Sequence, residues 1–367
     1  GLAGFQLALK IAEDSFFDSK TIAMIDPSEK TENDKSWSFW EKGKGQWDRI
    51  VEKQWDNAKV ITSQKSLNLD LNPYIYKTIK SIDFYNHSKS ILDKKSNFTF
   101  ILEEVVAVNE GKPTEVHTKS RCFEASHVFD SRIPDEFYTN ENRSISLKQH
   151  FKGIFIKTEN DVFNPSELIM MDYRLKDGEQ TTFTYVLPFS KNEALIEFTY
   201  FTSEIVNEET YDFYIDKYIS DILKISDYTI TETEGGVIPM STFPFEDYSS
   251  KNVTKIGTGG GWVKPSTGYS FKHTEKKVVL MLNNIKNGDD ATKNLFEEKY
   301  KFYDKVFLKV LKDENHLGEW VFGQFYGKNS VQTMFRFLDE ESTFSEEFKI
   351  MWSLLSWSFI KAFFKTL

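Results

Sequence analysis

A chain of 367 residues with a formal net charge of −10 and a pI near 5.3 is too acidic, and clusters its Lys and Arg too little, to hold a nucleic acid by its phosphates. Cys122 is the only cysteine, which excludes an intrachain disulfide framework and a Cys-rich metal cluster and fits a reducing, cytoplasmic compartment. No apolar run reaches the roughly 18 residues of a membrane span, and no basic-then-apolar leader marks secretion. The length predicts an α/β body of two lobes. Its 33 Phe, 16 Tyr and 8 Trp carry so much of the apolar content that something large, flat or cationic is expected inside. The six His are scattered, and no His/Cys/Asp/Glu set has metal-ligand spacing, so no metal is expected.

The opening Gly1-Leu2-Ala3-Gly4 has no Met and reads as the last four positions of G-x-G-x-x-G, as though the chain began inside the motif. Leu2, Phe5, Leu9 and Ala12 recur at helical spacing over residues 2–14, and a strand from Thr21 to Ile25 ends at Asp26. In that place an acidic side chain would bond an adenosine ribose, with the glycines admitting a pyrophosphate to the helix start. The alternative is a helix that starts small for packing and an Asp that caps a turn before Pro27.

Trp37 and Trp40 close a polar loop, either covering a core edge or forming an aromatic wall. Residues 97–106 and 114–120 read as a hairpin about Glu110-Gly111-Lys112-Pro113, and His127–Asp130 as a buried strand broken at Ser131-Arg132. From Lys148 to Glu234 the pattern is mainly strand. Phe183–Leu187 and Ala194–Tyr200 form an aromatic hairpin, in which alternation puts Glu197 on a face with Leu195, Thr199 and Phe201. A carboxyl there is expected to keep its proton near neutrality and to serve as a general acid, unless it simply faces solvent on an edge strand. Asp172 is a second candidate, for which an ion pair with Arg174 is the ordinary explanation.

Thr210–Ser226 reads as an amphipathic helix with Phe213, Tyr214, Tyr218, Ile219 and Ile222 inward. Val253–Ile256 is a short strand entering Gly257-Thr258-Gly259-Gly260-Gly261, a turn that leads past Pro265 into a helix. Such a turn offers backbone N–H groups to a phosphate or an electron-rich ring, or else is a surface loop. Asp290–Leu311 reads as a packing helix. Thr343-Phe344-Ser345-Glu346 is a capping box before a helix with Phe348, Trp352, Leu355, Trp357, Phe359, Phe363 and Phe364 among Lys349, Lys361 and Lys365, which suits either a membrane interface or a buried helix.

These blocks, with Phe129-Asp130-Ser131-Arg132, Gln149-His150-Phe151, Tyr185-Val186-Leu187-Pro188-Phe189, Glu197-Phe198-Thr199, Gly236-Val237-Ile238-Pro239-Met240 and Lys264-Pro265-Ser266-Thr267-Gly268-Tyr269, resemble the flavin-dependent lycopene cyclases nearly end to end. The bacterial branch is the nearer, from Leu195-Ile196-Glu197. The resemblance implies a glutathione-reductase-like FAD-binding Rossmann lobe interleaved with a mixed β-sheet substrate lobe and a C-terminal helical region. The expected division is 1–80 for the first part of the FAD lobe, 81–147 for a hairpin insertion and return, 148–245 for the substrate sheet, 246–285 for the glycine loop and helix, and 286–367 for the helical region.

It further implies FAD, reduced and normally recharged by NAD(P)H, held by Gly1, Leu2, Ala3, Gly4, Asp26, Asp130, Ser131, Arg132 and Gly257, Thr258, Gly259, Gly260, Gly261. The implied activity is that of an intramolecular lyase of the isomerase class, acting in carotenoid biosynthesis. It converts the ψ end groups of lycopene to β rings, through γ-carotene to β-carotene. Glu197, or the reduced flavin oriented by it, would give the proton. Trp40, Tyr185, Phe189, Phe198, Trp262 and Tyr269 are the expected walls, and the enzyme would sit peripherally on the cytoplasmic face of a membrane. A polyprenyl reductase or monooxygenase sharing the FAD lobe, or a flavin-bearing carotenoid carrier, are the alternatives. Whether one or both ends close, and to which ring, stays open.

Overall fold

The structure is a computed structural model that describes residues 1–139 and 144–367, and it divides into two compact units threaded by the same chain. Unit 1 comprises Gly1–Trp37, Lys80–Ser144 and Phe243–Glu297; unit 2 comprises Ser38–Ile79, Ile145–Thr242 and Glu298–Leu367.

In unit 1 the helix Leu2–Glu13 buries Ala3, Leu7 and Ile11 against Val278, Met281 and Leu282 of the helix Phe271–Lys286, with Trp262 and Ile256 in the same core. Strand Ile22–Asp26 runs parallel to Phe98–Leu102, and Val128–Asp130 parallel to Val253–Lys255. Strands Val105–Asn109, Thr114–Thr118 and Cys122–Ala125 form an antiparallel sheet. The hairpin expected from residue 97 therefore starts later. The chain breaks at Glu103-Glu104, its first half joins the parallel pair, and a third strand follows.

Unit 2 is built on a seven-stranded mixed sheet in the order Thr229–Ser241, Ser146–Lys157, Glu193–Thr202, Thr182–Pro188, Glu167–Asp172, Asn57–Ile61 and Ser66–Asp70. The strand Asn57–Ile61 adds parallel to Glu167–Asp172. Residues 38–79, expected in the first lobe, thus belong to the second: Asn57–Ile61 and Ser66–Asp70 extend its sheet, and Ser36–Lys42, Tyr74–Lys80 and Lys53–Trp55 form a three-stranded sheet. One face of the sheet packs Ile154, Ile196, Phe198 and Tyr200 on the helix Glu208–Lys217 and the π-helical turn Tyr218–Leu223.

This segment packs Tyr211, Ile215, Tyr218 and Ile219 inward with Tyr214 and Ile222 beside them, as expected except for Phe213, which is exposed. Tyr218, in the π-helical turn, donates its hydroxyl to the buried Asp172 at 2.7 Å, and Asp172 also pairs with Arg174. Five helices close unit 2: Glu298–Asp313, Gly318–Lys328, Val331–Leu338, Phe344–Ser353 and Trp357–Thr366. The capping box at Thr343 and Glu346 is formed as expected, but the terminal helix is two helices separated at 354–356. No helix of the described residues is long and apolar enough to cross a membrane.

Candidate functional site

In unit 1 glycine holds three backbone segments at distances a side chain would forbid. Gly257, at φ +60°, would place a Cβ 2.9 Å from the Cβ of Ala3, and Gly259 would place one 2.3 Å from the carbonyl oxygen of Arg132. The nitrogen of Gly1 lies 3.0 Å from Asp26 Oδ2. Gly1–Gly4, Asp26, Ser131-Arg132 and Gly257–Gly261, expected to hold a cofactor, are therefore gathered in one place. At Gly4, in the first turn of a 12-residue helix, nothing lies within 4 Å of an added Cβ. Past the glycine turn, Trp262 Nε1 and Thr267 Oγ1 are buried with no hydrogen-bond partner in the protein.

Two residues change role. Asp130 is buried, and its carboxylate takes Arg132 Nη2 at 3.0 Å and Lys255 Nζ at 2.8 Å. Burial alone would raise its pKa, but these two cations hold it below the ordinary carboxylate range. It is a strut that sets the Ser131-Arg132 turn, and Lys255, unnoticed in the sequence, is its counterpart. Trp262 is a core residue packed with Ala3 and Val278, which removes it from the expected walls. Tyr269 is half-buried in the loop before the helix Phe271–Lys286.

In unit 2 Glu197 stands on the sheet face opposite the Tyr218 core, beside Tyr185 on one neighbouring strand and Gly153 on the other. Leu195 and Phe201 share its face and are buried, and Phe183 packs edge-on to Tyr185 at 5.2 Å. Glu197 is itself half-buried, and Thr199 Oγ1 donates to its Oε1 at 2.9 Å. Burial among these groups, with the negative charge of Glu234 next in importance, pushes its pKa up to about 8; the Thr199 bond works against the rise. A carboxyl group so placed is an acid at neutral pH.

Of the other expected walls, Tyr185 and Phe189 are half-buried on the Glu197 side of the sheet, Phe189 resting on Phe155 at 5.6 Å and Trp55 at 6.2 Å. Phe198 is on the opposite side, fully buried and stacked on Tyr214 at 4.9 Å, because strand neighbours alternate. Trp40 is a core residue too, stacked on Phe335 at 4.4 Å with Nε1 donating to Asp339 at 3.0 Å. Neither lines a binding surface.

The two terminal helices and the break between them expose Phe344, Phe348, Trp352, Leu355, Trp357 and Phe364, all more than half accessible, among exposed Lys349, Lys361 and Lys365. The buried alternative for this segment does not hold. Glu115, His117 and Cys122 form one set that sequence spacing overlooked, with donor atoms within 4.8 Å of each other. Cross-strand pairing brings His117 opposite Cys122 on an open surface, where a 2.9 Å bond between His117 and Glu115 accounts for the approach.

Comparison with known proteins agrees with this architecture. The family described as "Lycopene cyclase protein" matches residues 1–364. A chloroplastic neoxanthin synthase of Solanum tuberosum is 26% identical over 154 residues, 38% of this chain, and the match spans only 30% of that relative. A geranylgeranyl bacteriochlorophyll reductase-like protein from Thermoplasma acidophilum superposes with a TM-score of 0.60 at 12% identity, over 100% of this chain and 97% of that one. A flavin-dependent brominase does so at 0.59 and 11%, over 96% and 91%. A flavoprotein/dehydrogenase from Cytophaga hutchinsonii reaches 0.56 at 9%, over 92% and 89%. The chain thus shares a mixed α/β fold with a geranylgeranyl bacteriochlorophyll reductase-like protein and a flavin-dependent brominase, and with its family matched over residues 1–364 it belongs to the lycopene cyclase protein family.

Proposed function

We propose that this protein is a lycopene β-cyclase, which closes the ψ ends of lycopene to β rings by way of γ-carotene, as an intramolecular lyase with no net redox change. The observation that carries the reading is the half-buried Glu197, which keeps its proton near neutral pH on an aromatic sheet face. Ring closure needs a proton placed on the terminal double bond, closure of the resulting tertiary cation by the neighbouring double bond, and loss of a ring proton; it needs no hydrolytic nucleophile. Glu197 gives the proton. Tyr185 and Phe189 lie on its side of the sheet and offer π faces to the cation, each contact contributing on the order of 0.5–2 kcal/mol.

The residues of unit 1 fit FAD. The open helix start suits a pyrophosphate, Asp26 a ribose, and the glycine turn, with the unpartnered Trp262 Nε1 and Thr267 Oγ1 near it, a polar ring edge. When bound and reduced by NAD(P)H, the flavin supplies an electron-rich surface that stabilises developing positive charge. The exposed aromatic and lysine array of the terminal helices supports a peripheral position on a membrane, on its cytoplasmic face, where lycopene dissolves.

Incubation of the protein with lycopene, FAD and NAD(P)H in liposomes, followed by chromatography, is expected to yield cyclic carotenes without NAD(P)H consumed in proportion to product. Stoichiometric consumption would assign a polyprenyl reductase or monooxygenase instead, and unchanged lycopene a carrier.

A further inference from the structure

Gly153 is the only residue separating Glu197 from Glu234 across the sheet. It pairs with Glu197 on one side and with Glu234 on the other, so all three occupy one rung. A Cβ at Gly153 would lie 3.3 Å from Glu197 Cβ, 3.4 Å from Glu234 Cγ and 2.8 Å from Leu195 Cδ1. The missing side chain therefore lets the Glu197 and Glu234 side chains and the Leu195 methyl close over one rung. On the edge strand Glu232, Glu234, Gly236 and Ile238 are half-covered, while the alternating Thr231, Thr233, Gly235 and Val237 are exposed. Glu234 thus points to the Glu197 side by the same alternation that governs the strand. Phe151, whose ring is 3.0 Å from an added Cβ at Gly236, roofs the next rung. An isolated glycine inside a paired strand marks such a close approach.

We propose that Glu197 and Glu234 form a carboxyl pair sharing one proton across Gly153, with Glu234 as the positioning residue that keeps Glu197 in its acid form. This rests on the reading of Glu197 as the proton donor. Before reaction the pair holds one proton, on Glu197, and one negative charge, on Glu234. Transfer breaks the Glu197 O–H bond and forms a C–H bond at the polyene terminus, leaving two carboxylates beside a cation. The proton lost from the ring returns to the pair, so that protons balance and no redox partner enters. The charge on Glu234 raises the proton affinity of Glu197, so the donor stays loaded until transfer, and the repulsion between the two carboxylates left afterwards favours return of the ring proton to the pair. Among the described residues, titratable groups on this side include Glu232, one rung further along at Phe155, Glu193 with its partner Lys157 at the end of the same strands, the Tyr185 hydroxyl on the facing strand, and Tyr173, Tyr326 and Glu319 beyond it. Lys152 is on the other face, paired with Asp212.

The test uses flavin-loaded enzyme in liposomes and an infrared titration of the protonated-carboxyl band, which needs no turnover. In the wild type the band disappears with a midpoint near 8, and activity falls over the same range. Glu234→Gln removes the neighbouring charge, so both midpoints move to lower pH by on the order of one unit, with activity below that midpoint retained. Glu234→Asp restores most of the shift. Glu197→Gln abolishes the band and the activity at every pH. If Glu197→Gln stays active, the donor reading itself fails. If Glu197→Gln is dead but the midpoint in Glu234→Gln does not move, only the pair is overturned.

Discussion

The carbonyl oxygen of Arg132 lies 2.3 Å from where Gly259 would carry a side chain, so the glycine turn and the Ser131-Arg132 turn meet backbone to backbone. Gly259→Ala must push the two turns apart. Loss of bound flavin is the expected result, with an affinity at least about tenfold weaker, read from the flavin-to-protein absorbance ratio. Undiminished flavin content in a folded Gly259→Ala protein would count against this loop as the cofactor cradle.

Glu197 links chemistry to stability. Its pKa is raised on folding, so folding favours the protonated form, and the stability associated with it is present at low pH and lost as pH climbs from the ordinary carboxylate range through about 8. Partial exposure moderates the effect to roughly 1–3 kcal/mol. Denaturant melts between pH 5 and 9 should show this decline in the wild type and not in Glu197→Gln, which is expected to bind flavin and make no cyclic carotene.

His150 titrates in the opposite sense. It is fully buried, stacked on Tyr200 at 4.9 Å, and bonded through its two ring nitrogens to Tyr211 and Thr202. Burial lowers its pKa to about 4. The neutral ring's contribution is complete above the ordinary histidine range and is lost as pH falls toward 4, on the order of 2–3 kcal/mol. Melts of His150→Gln should be flatter over that acid range.

Trp40 tests the correction made above. Trp40→Ala loses the Phe335 stack and is expected to cost about 3–5 kcal/mol, whereas Trp40→Phe keeps a ring and forfeits chiefly the bond to Asp339, about 1 kcal/mol. Activity per folded Trp40→Phe molecule should be unchanged. A large rise in KM would restore Trp40 as a substrate wall.

Serine at Phe344, Trp352, Trp357 and Phe364 together removes exposed apolar surface and little core, so the protein should fold with a near-wild-type melt. Flotation with liposomes is expected to fall sharply. Unaltered flotation would separate these helices from the membrane.

What the sequence made legible was local. The spacing of Leu2, Phe5 and Leu9 led to the helix Leu2–Glu13, and alternation about Glu197 led to its strand and face. What it hid depends on partners far along the chain. Trp40 looked like an exposed wall because Phe335 and Asp339, which bury it, come almost 300 residues later. Glu234 drew no notice because only Gly153, paired on both sides, brings it to Glu197. An unexplained glycine between Lys152 and Ile154 was the available signal.

The threading of the chain has a consequence for synthesis. The helix Leu2–Glu13 is translated more than 260 residues ahead of Val278 and Met281, which cover its apolar side. Until those residues emerge that greasy surface has no native cover, and the strands of unit 2 that lie between them in sequence are made while unit 1 is still incomplete. A nascent chain of this design depends on holding factors more than on fast local folding, and slowing elongation gives it no shortcut, since the missing piece is downstream.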